Sequence, residues 1–235
     1  MIISGYWANL LVCTPAWIRV SVDNHNRFVL ANLRATEEIK SSHGKPDFKL
    51  KHSLAALEKG IVKIETEPDY MRAMNTKNLM KYAGMFYDSD WIVLRNETDT
   101  DFLTSDNPVA FHDQGPWRGG KPGLPRYLPV SRKFCLYCET GRNGRLDQEP
   151  DFRAPPKGHV RFATLSAASG VDRINDAVIQ CAEDIVLSSQ KTDSLGPLVD
   201  KYSSHKVCNE FIKMKLKDGF FFAMRTRVCD PNALT

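Results

Sequence analysis

The chain has 235 residues, with 32 Lys and Arg against 28 Asp and Glu and a formal charge of +4. That length suits one large domain with a sizeable core, and bases so nearly balanced by acids give little electrostatic case for a nucleic-acid or membrane partner. No run of about 18 apolar residues occurs, and Met1-Ile2-Ile3 meets Ser4 and Gly5 too early for a signal peptide. The expectation is a soluble, cytoplasmic, single domain over 1–235 with no membrane partner.

The first third reads as helical. Thr14-Pro15 supplies an N-cap and a first-turn proline, after which Trp17, Val20, Phe28, Ala31, Ala35 and Ile39 recur at near-helical spacing as a core-facing stripe. Gly44 and Pro46 stop that helix, a second occupies 50–57, and Pro68 opens a third with Met71, Met74, Asn78 and Tyr82 on one side. The period changes at Trp91-Ile92-Val93-Leu94, which with Phe102-Leu103-Thr104 reads as two paired strands across a turn-rich segment. Asp106-Asn107-Pro108 is a turn signal, because Asx side chains bond the backbone ahead and proline fixes φ, and 109–111 resumes as a strand.

Residues 113–125 are rich in glycine and proline and form a long loop. Strands follow at 132–138 and 159–165. Ser169-Gly170-Val171-Asp172 resembles a capping box for a helix over 171–188, whose Ile174, Val178, Cys181 and Ile185 make one buried face. The segment 211–228 alternates around Asp218-Gly219, and a three-residue turn groups Ile212, Met214 and Leu216 with Phe220, Phe222 and Met224. A helix over 207–214 also fits the spacing. These elements add up to an α+β fold: N-terminal helices, a mostly antiparallel central sheet, one late amphipathic helix and a C-terminal hairpin.

Several motifs invite chemistry. Gly115-Pro116-Trp117-Arg118-Gly119-Gly120-Lys121 matches seven positions of a phosphate-binding loop, but Pro122 stands where a hydroxyl should hold magnesium and no helix can follow. Cys135 and Cys138 have zinc-like spacing, yet on a strand they point to opposite faces and no second pair accompanies them. All six cysteines lie in apolar surroundings, so buried reduced thiols and no structural disulfide are expected. Asp99, Asp101, Asp106 and Asp113 cluster about two turns, where carboxylates serve turn chemistry or converge on a cation. Lys213, Lys215, Arg225 and Arg227 share a face of the hairpin in the three-residue register, a solvated strip that also suits phosphates.

The segment Trp91-Ile92-Val93-Leu94 followed by Phe102-Leu103-Thr104-Ser105-Asp106-Asn107-Pro108-Val109 resembles the signature of the family called domain of unknown function 4238. Tyr127 to Ser131 is similar to that family's Pro-Leu-Ser segment, Ile174-Asn175 through Ala182 and Ser188 to its late helix, and Thr14-Pro15 to its early Arg-Thr-Pro element. The likeness spans about 8–190. Two departures stand out: the usual N-terminal segment before the first long helix is lacking, through truncation or a different supply, and Cys13 replaces an arginine. The resemblance implies no reaction, cofactor or partner.

Ser105, Asp106 and Asn107 are held at a strand end beside a long loop carrying Arg118 and Lys121, as ligand sites on rigid supports tend to be. One reading is a hydrolase or nuclease acting on a phosphorylated or nucleic-acid substrate, with Asp106 as base or metal ligand and Ser105 and Asn107 as supports. The alternative is a non-catalytic module recognising a ligand or protein, and a third is that the turn is a structural corner. The enzyme reading expects Asp106 within reach of His112, His159, Arg161 or another acid. The residues identify no cofactor and no metal, and leave a small molecule or nucleic acid as partner.

Overall fold

A computed structural model describes residues 2–112, 125–139, 151–190, 193, 195–216 and 219–230, with the backbone alone over 211–216 and 219–225. Five helices lead: α1 (Ile2–Cys13), α2 (Pro15–Ser42), α3 (Phe48–Glu58), α4 (Pro68–Lys77) and α5 (Leu79–Tyr87). Local chemistry sets their starts. Thr14 caps α2 by accepting the Trp17 amide, with proline in the first turn, and Asp47 caps α3 by accepting the Leu50 amide.

The stripe expected along α2 is only half realised. Ala16, Ile18, Val20 and Ser21 are buried, but Phe28 and Ile39 are each more than 60 % exposed. A 28-residue helix is about 42 Å long, so its distal half outruns the core and meets α3, where Arg34 pairs with Glu58. The densest packing around a helix instead involves α1, whose Trp7 is fully buried against Phe86 and stacked on Trp91 at 4.4 Å.

The strands are β1 (Asp90–Asn96), β2 (Thr104–Ser105), β3 (Ala110–Phe111), β4 (Pro125–Ser131), β5 (Phe134–Glu139) and β6 (Val160–Leu165). After them come α6 (Ala168–Cys181), β7 (Val186–Leu187), α7 (Leu195–Lys201), β8 (Lys206–Leu216) and β9 (Gly219–Cys229). The central sheet runs β3-β4-β5-β1-β6, antiparallel throughout except that β1 and β6 are parallel. The fold is α+β with a mostly antiparallel sheet. Entry to β6 demands Gly158, since a Cβ there would lie 1.9 Å from the Ser89 carbonyl oxygen. The following His159 amide donates to the Asp90 carboxylate at 2.9 Å.

Alternation along the strands splits the core across this sheet. Leu128 and Cys138 pack with Trp7, Ala83 and Phe86 of α1 and α5, while Cys135 packs with Phe102, Val171 and Ile174 beside α6. Cys135 and Cys138 thus sit on opposite faces as buried free thiols, and burial pushes both well above the ordinary thiol range. A further cluster joins Val20, Phe111, Val178 and Cys181 to Val207 and Val228 at the base of the β8–β9 hairpin.

Four expectations are corrected. Residues 102–104 do not pair with β1: Thr104 and Ser105 form a ladder with Leu187 and Val186, and β1 takes β5 and β6. Pro125–Ser131, where local reading ends the long loop at Pro125 and assigns no strand before 132, is a strand between β3 and β5. The late helix ends at Cys181 and starts at Ala168 without a side-chain cap, so Ile174, Val178 and Cys181 are buried while Ile185 is 53 % exposed. The hairpin pairs Leu216 with Gly219, not with Phe220. Its base decides this, because Val207 and Val228 are direct partners and both buried, and a one-residue slip would turn one of them outward. Lys213 and Lys215 then pair with Phe222 and Phe220, and Arg225 and Arg227 with Glu210 and Cys208, so the four basic positions do not share a face.

The same antiparallel base joins Cys208 to Cys229, with Cα atoms 6.1 Å apart, against the expectation of no disulfide. The two are 21 residues apart in sequence, and only hairpin formation brings them within bridging distance. Because Ile185 lies beyond the helix and half in solvent, Ile185→Ser should change unfolding free energy by less than about 0.5 kcal/mol. Chemical denaturation checks this, and a larger loss would place Ile185 in the core.

Candidate functional site

The Ser105-Asp106-Asn107 turn meets the end of α6. One Asp106 carboxylate oxygen accepts the Glu183 amide and the other the Asp184 amide, both at 2.9 Å, and the Asp106 amide donates to the Ile185 carbonyl at 3.2 Å. The Asn107 side-chain amide donates to the Cys181 carbonyl at 2.9 Å, and the Ser105 hydroxyl accepts the Asn107 amide at 3.2 Å. The orphan Cys181 carbonyl at the helix terminus is therefore met by Asn107, and the two amides just past the helix by Asp106, side chains roughly 75 residues earlier, as the sequence separations of 74, 77 and 78 show. Ser105 and Asn107 are buried.

Residues that local reading did not single out complete this junction. Arg19 of α2 forks onto Glu183, with its Nη2 2.9 Å from Oε2, and the same nitrogen donates to the Val207 carbonyl at 2.7 Å. Lys206 approaches Glu183 at 3.5 Å. Burial raises the Glu183 carboxyl, but Arg19 and Lys206 outweigh it and hold the group below its ordinary value. Asn175 spans the other end of the signature, accepting the Leu103 amide and donating to the Asp101 carbonyl, each at 2.9 Å. Arginine spaced 164 residues from its carboxylate leaves no local signal.

The carboxylates do not converge. Asp101 accepts the Ser189 hydroxyl at 2.6 Å and pairs with Lys133 at 3.4 Å, and its carboxyl is lowered first by the Ser189 hydrogen bond. Among the described residues no group of three or more His, Cys, Asp or Glu could hold a metal. Asp113, Arg118, Lys121 and the whole phosphate-loop-like segment lie outside the described residues.

Among the described residues none of His112, His159 and Arg161 hydrogen-bonds Asp106, whose partners are the Glu183 and Asp184 amides and the Ile185 carbonyl. His159 and Arg161 enter and occupy β6, at the far edge of the sheet from β3. His112 follows β3. Its ring meets Tyr127 edge-on at 5.4 Å, and Tyr127 lies 5.4 Å from Tyr137. Ala110, Tyr127, Tyr137, Ile92 and Arg161 are successive cross-strand partners, hence one row on one face. Arg173 of α6 exerts its charge on His112, Tyr127 and Tyr137, while Asp176 acts on His112 and Glu139 on Tyr137. His112 Nε2 is buried without a hydrogen-bond partner among the described residues. Burial, followed by Arg173, lowers its imidazole from the ordinary value, so the ring is neutral near pH 7. Burial likewise raises both tyrosine hydroxyls.

A family model described as Protein of unknown function (DUF4238) matches residues 19–192. The chain belongs to this family. The match covers the signature strand and turn, α6 and the junction where Leu103, Asp106 and Asn107 bond to α6 and the residues just past it. No curated protein and no solved structure matches. Among the described residues of this DUF4238 chain, no helix is long and apolar enough to cross a membrane.

Proposed function

We propose that the chain is a non-catalytic recognition module that holds a planar, polar ring, of the nucleobase class, on the row His112, Tyr127 and Tyr137 with Arg161 and Arg173 at its margins. The observation that carries this reading is the His112 Nε2, buried and without a partner among the described residues beside an aromatic row. A neutral imidazole offers one donor and one acceptor, aromatic faces stack on any base at about 1–3 kcal/mol each, and Arg173 with Asp176 and Glu139 supplies charges of both signs at the edge. Support for recognition over hydrolysis comes from Asp106, whose two oxygens are engaged by backbone amides.

The test is titration calorimetry of the folded chain with nucleosides, nucleotides and short single-stranded oligonucleotides. Binding is expected to weaken roughly five- to a hundredfold in His112→Phe and in Tyr137→Ala, the span of one lost hydrogen bond or one lost stacking surface, and to persist in Asp106→Asn. Lowering the pH through the depressed titration of His112 should weaken it by charging the ring. A different result, phosphoester hydrolysis by the wild type that Asp106→Asn abolishes, would establish the enzyme reading instead. Absence of any binding by these ligands would sink the ring assignment.

A further inference from the structure

Arg126 is the second residue of β4, and it faces the opposite side of the strand from Tyr127, so it belongs to a different place from the aromatic row. It is 7 % exposed, and its Nε is buried with no hydrogen-bond partner among the described residues. The guanidinium lies over the Phe111 ring at 5.5 Å, with Tyr82, Cys138 and Cys181 as its other close electrostatic neighbours. No Asp or Glu pairs with it among the described residues. The thiols cannot stand in for one, because burial pushes both Cys138 and Cys181 up to about 12 and keeps them neutral. Tyr82 is held neutral by burial as well.

A buried guanidinium that is neither paired nor hydrogen-bonded is costly. Burial lowers the Arg126 titration from its ordinary value, yet an arginine does not lose its proton in a protein. The cost is removed by an anion that reaches it. We propose that Arg126 is an anion-binding centre for the carboxylate of a small organic monocarboxylic acid. The guanidinium fork matches a planar carboxylate in two parallel hydrogen bonds. One negative charge neutralises one buried cation, whereas a phosphate dianion leaves a net buried charge. The Phe111 ring beneath the guanidinium and Tyr82 nearby make the surroundings apolar, which suits an acid with an apolar body. Phe111 ends β3 and pairs with Arg126 near the start of β4, so the site stands where both strands leave the sheet.

The experiment is thermal unfolding and calorimetry of the whole chain with acetate, propionate and benzoate, against chloride and inorganic phosphate at matched ionic strength. The expected result is saturable stabilisation by the monocarboxylates, lost in Arg126→Met and weakened roughly ten- to a hundredfold in Arg126→Lys, which keeps the charge but not the fork. Without ligand, Arg126→Met should melt no lower than the wild type, because it replaces an unpaired charge by an apolar chain of similar length. Three results would overturn the proposal: no saturable effect of any monocarboxylate, an equal effect in Arg126→Lys or on chloride or phosphate, or a folded Arg126→Met chain that melts lower than the wild type. Should Arg126→Met not fold, the Arg126→Lys titration carries the test alone.

Discussion

Replacing Asp106 by alanine should destabilise the fold by about 3 kcal/mol, from the loss of two charge-assisted hydrogen bonds at a partly buried position. Both oxygens are committed, one to the Glu183 amide and one to the Asp184 amide. Their removal leaves those amides unmet where α6 has already ended, and loosens the segment that carries Glu183 to Arg19 and Lys206. Asp106→Asn keeps one acceptor oxygen and should lose about half as much. Urea denaturation of the two variants is the measurement. An alanine variant as stable as the parent would mean the carboxylate is held at a cost, as a site residue is, and would return Asp106 to the position of a catalytic candidate.

Breaking the Cys208–Cys229 bridge should cost about 3 kcal/mol, the value chain-entropy arguments give for a loop of about twenty residues. The bridge closes the β8–β9 hairpin at its base, next to the buried Val207–Val228 pair that joins it to the core. Unreduced and unfolded chain should titrate four thiols, those of Cys13, Cys135, Cys138 and Cys181, and reduced chain all six of the sequence. Cys208→Ser with Cys229→Ser should show the same loss as reduction. Six titratable thiols without reductant, or an unfolding midpoint unmoved by the double substitution, would refute the pairing.

Asp106 acts on the end of α6, and Asn107 holds the Cys181 carbonyl one step earlier. Cys181 in turn lies against Phe111, whose backbone amide and carbonyl both meet its sulfur at 3.4 Å. The turn that looks like a site in one dimension is therefore a clasp between the sheet and its late helix. Among the described residues with an unpartnered buried polar atom, His112 and Arg126 lie on opposite faces of the same sheet end.

What the sequence determined by itself were the features with short-range causes. Thr14 with Pro15, Asp47 and Pro68 start helices through bonds or constraints within three residues. Trp91 to Leu94 and the 160–165 run are strands because they are rich in β-branched and aromatic residues. The spacing of Ile174, Val178 and Cys181 named the buried face of α6. Only the tertiary structure decided where that face stopped, since the helix ends where Asp106 and Asn107 take its terminal groups. The parallel pairing of β1 with β6, the strand at 125–131, the hairpin register set by Val207 and Val228, and the Cys208–Cys229 bridge were decided in the same way. Each depends on partners tens of residues away, whose meeting rests on loop closure and shared burial, and neither leaves a periodicity in the local sequence.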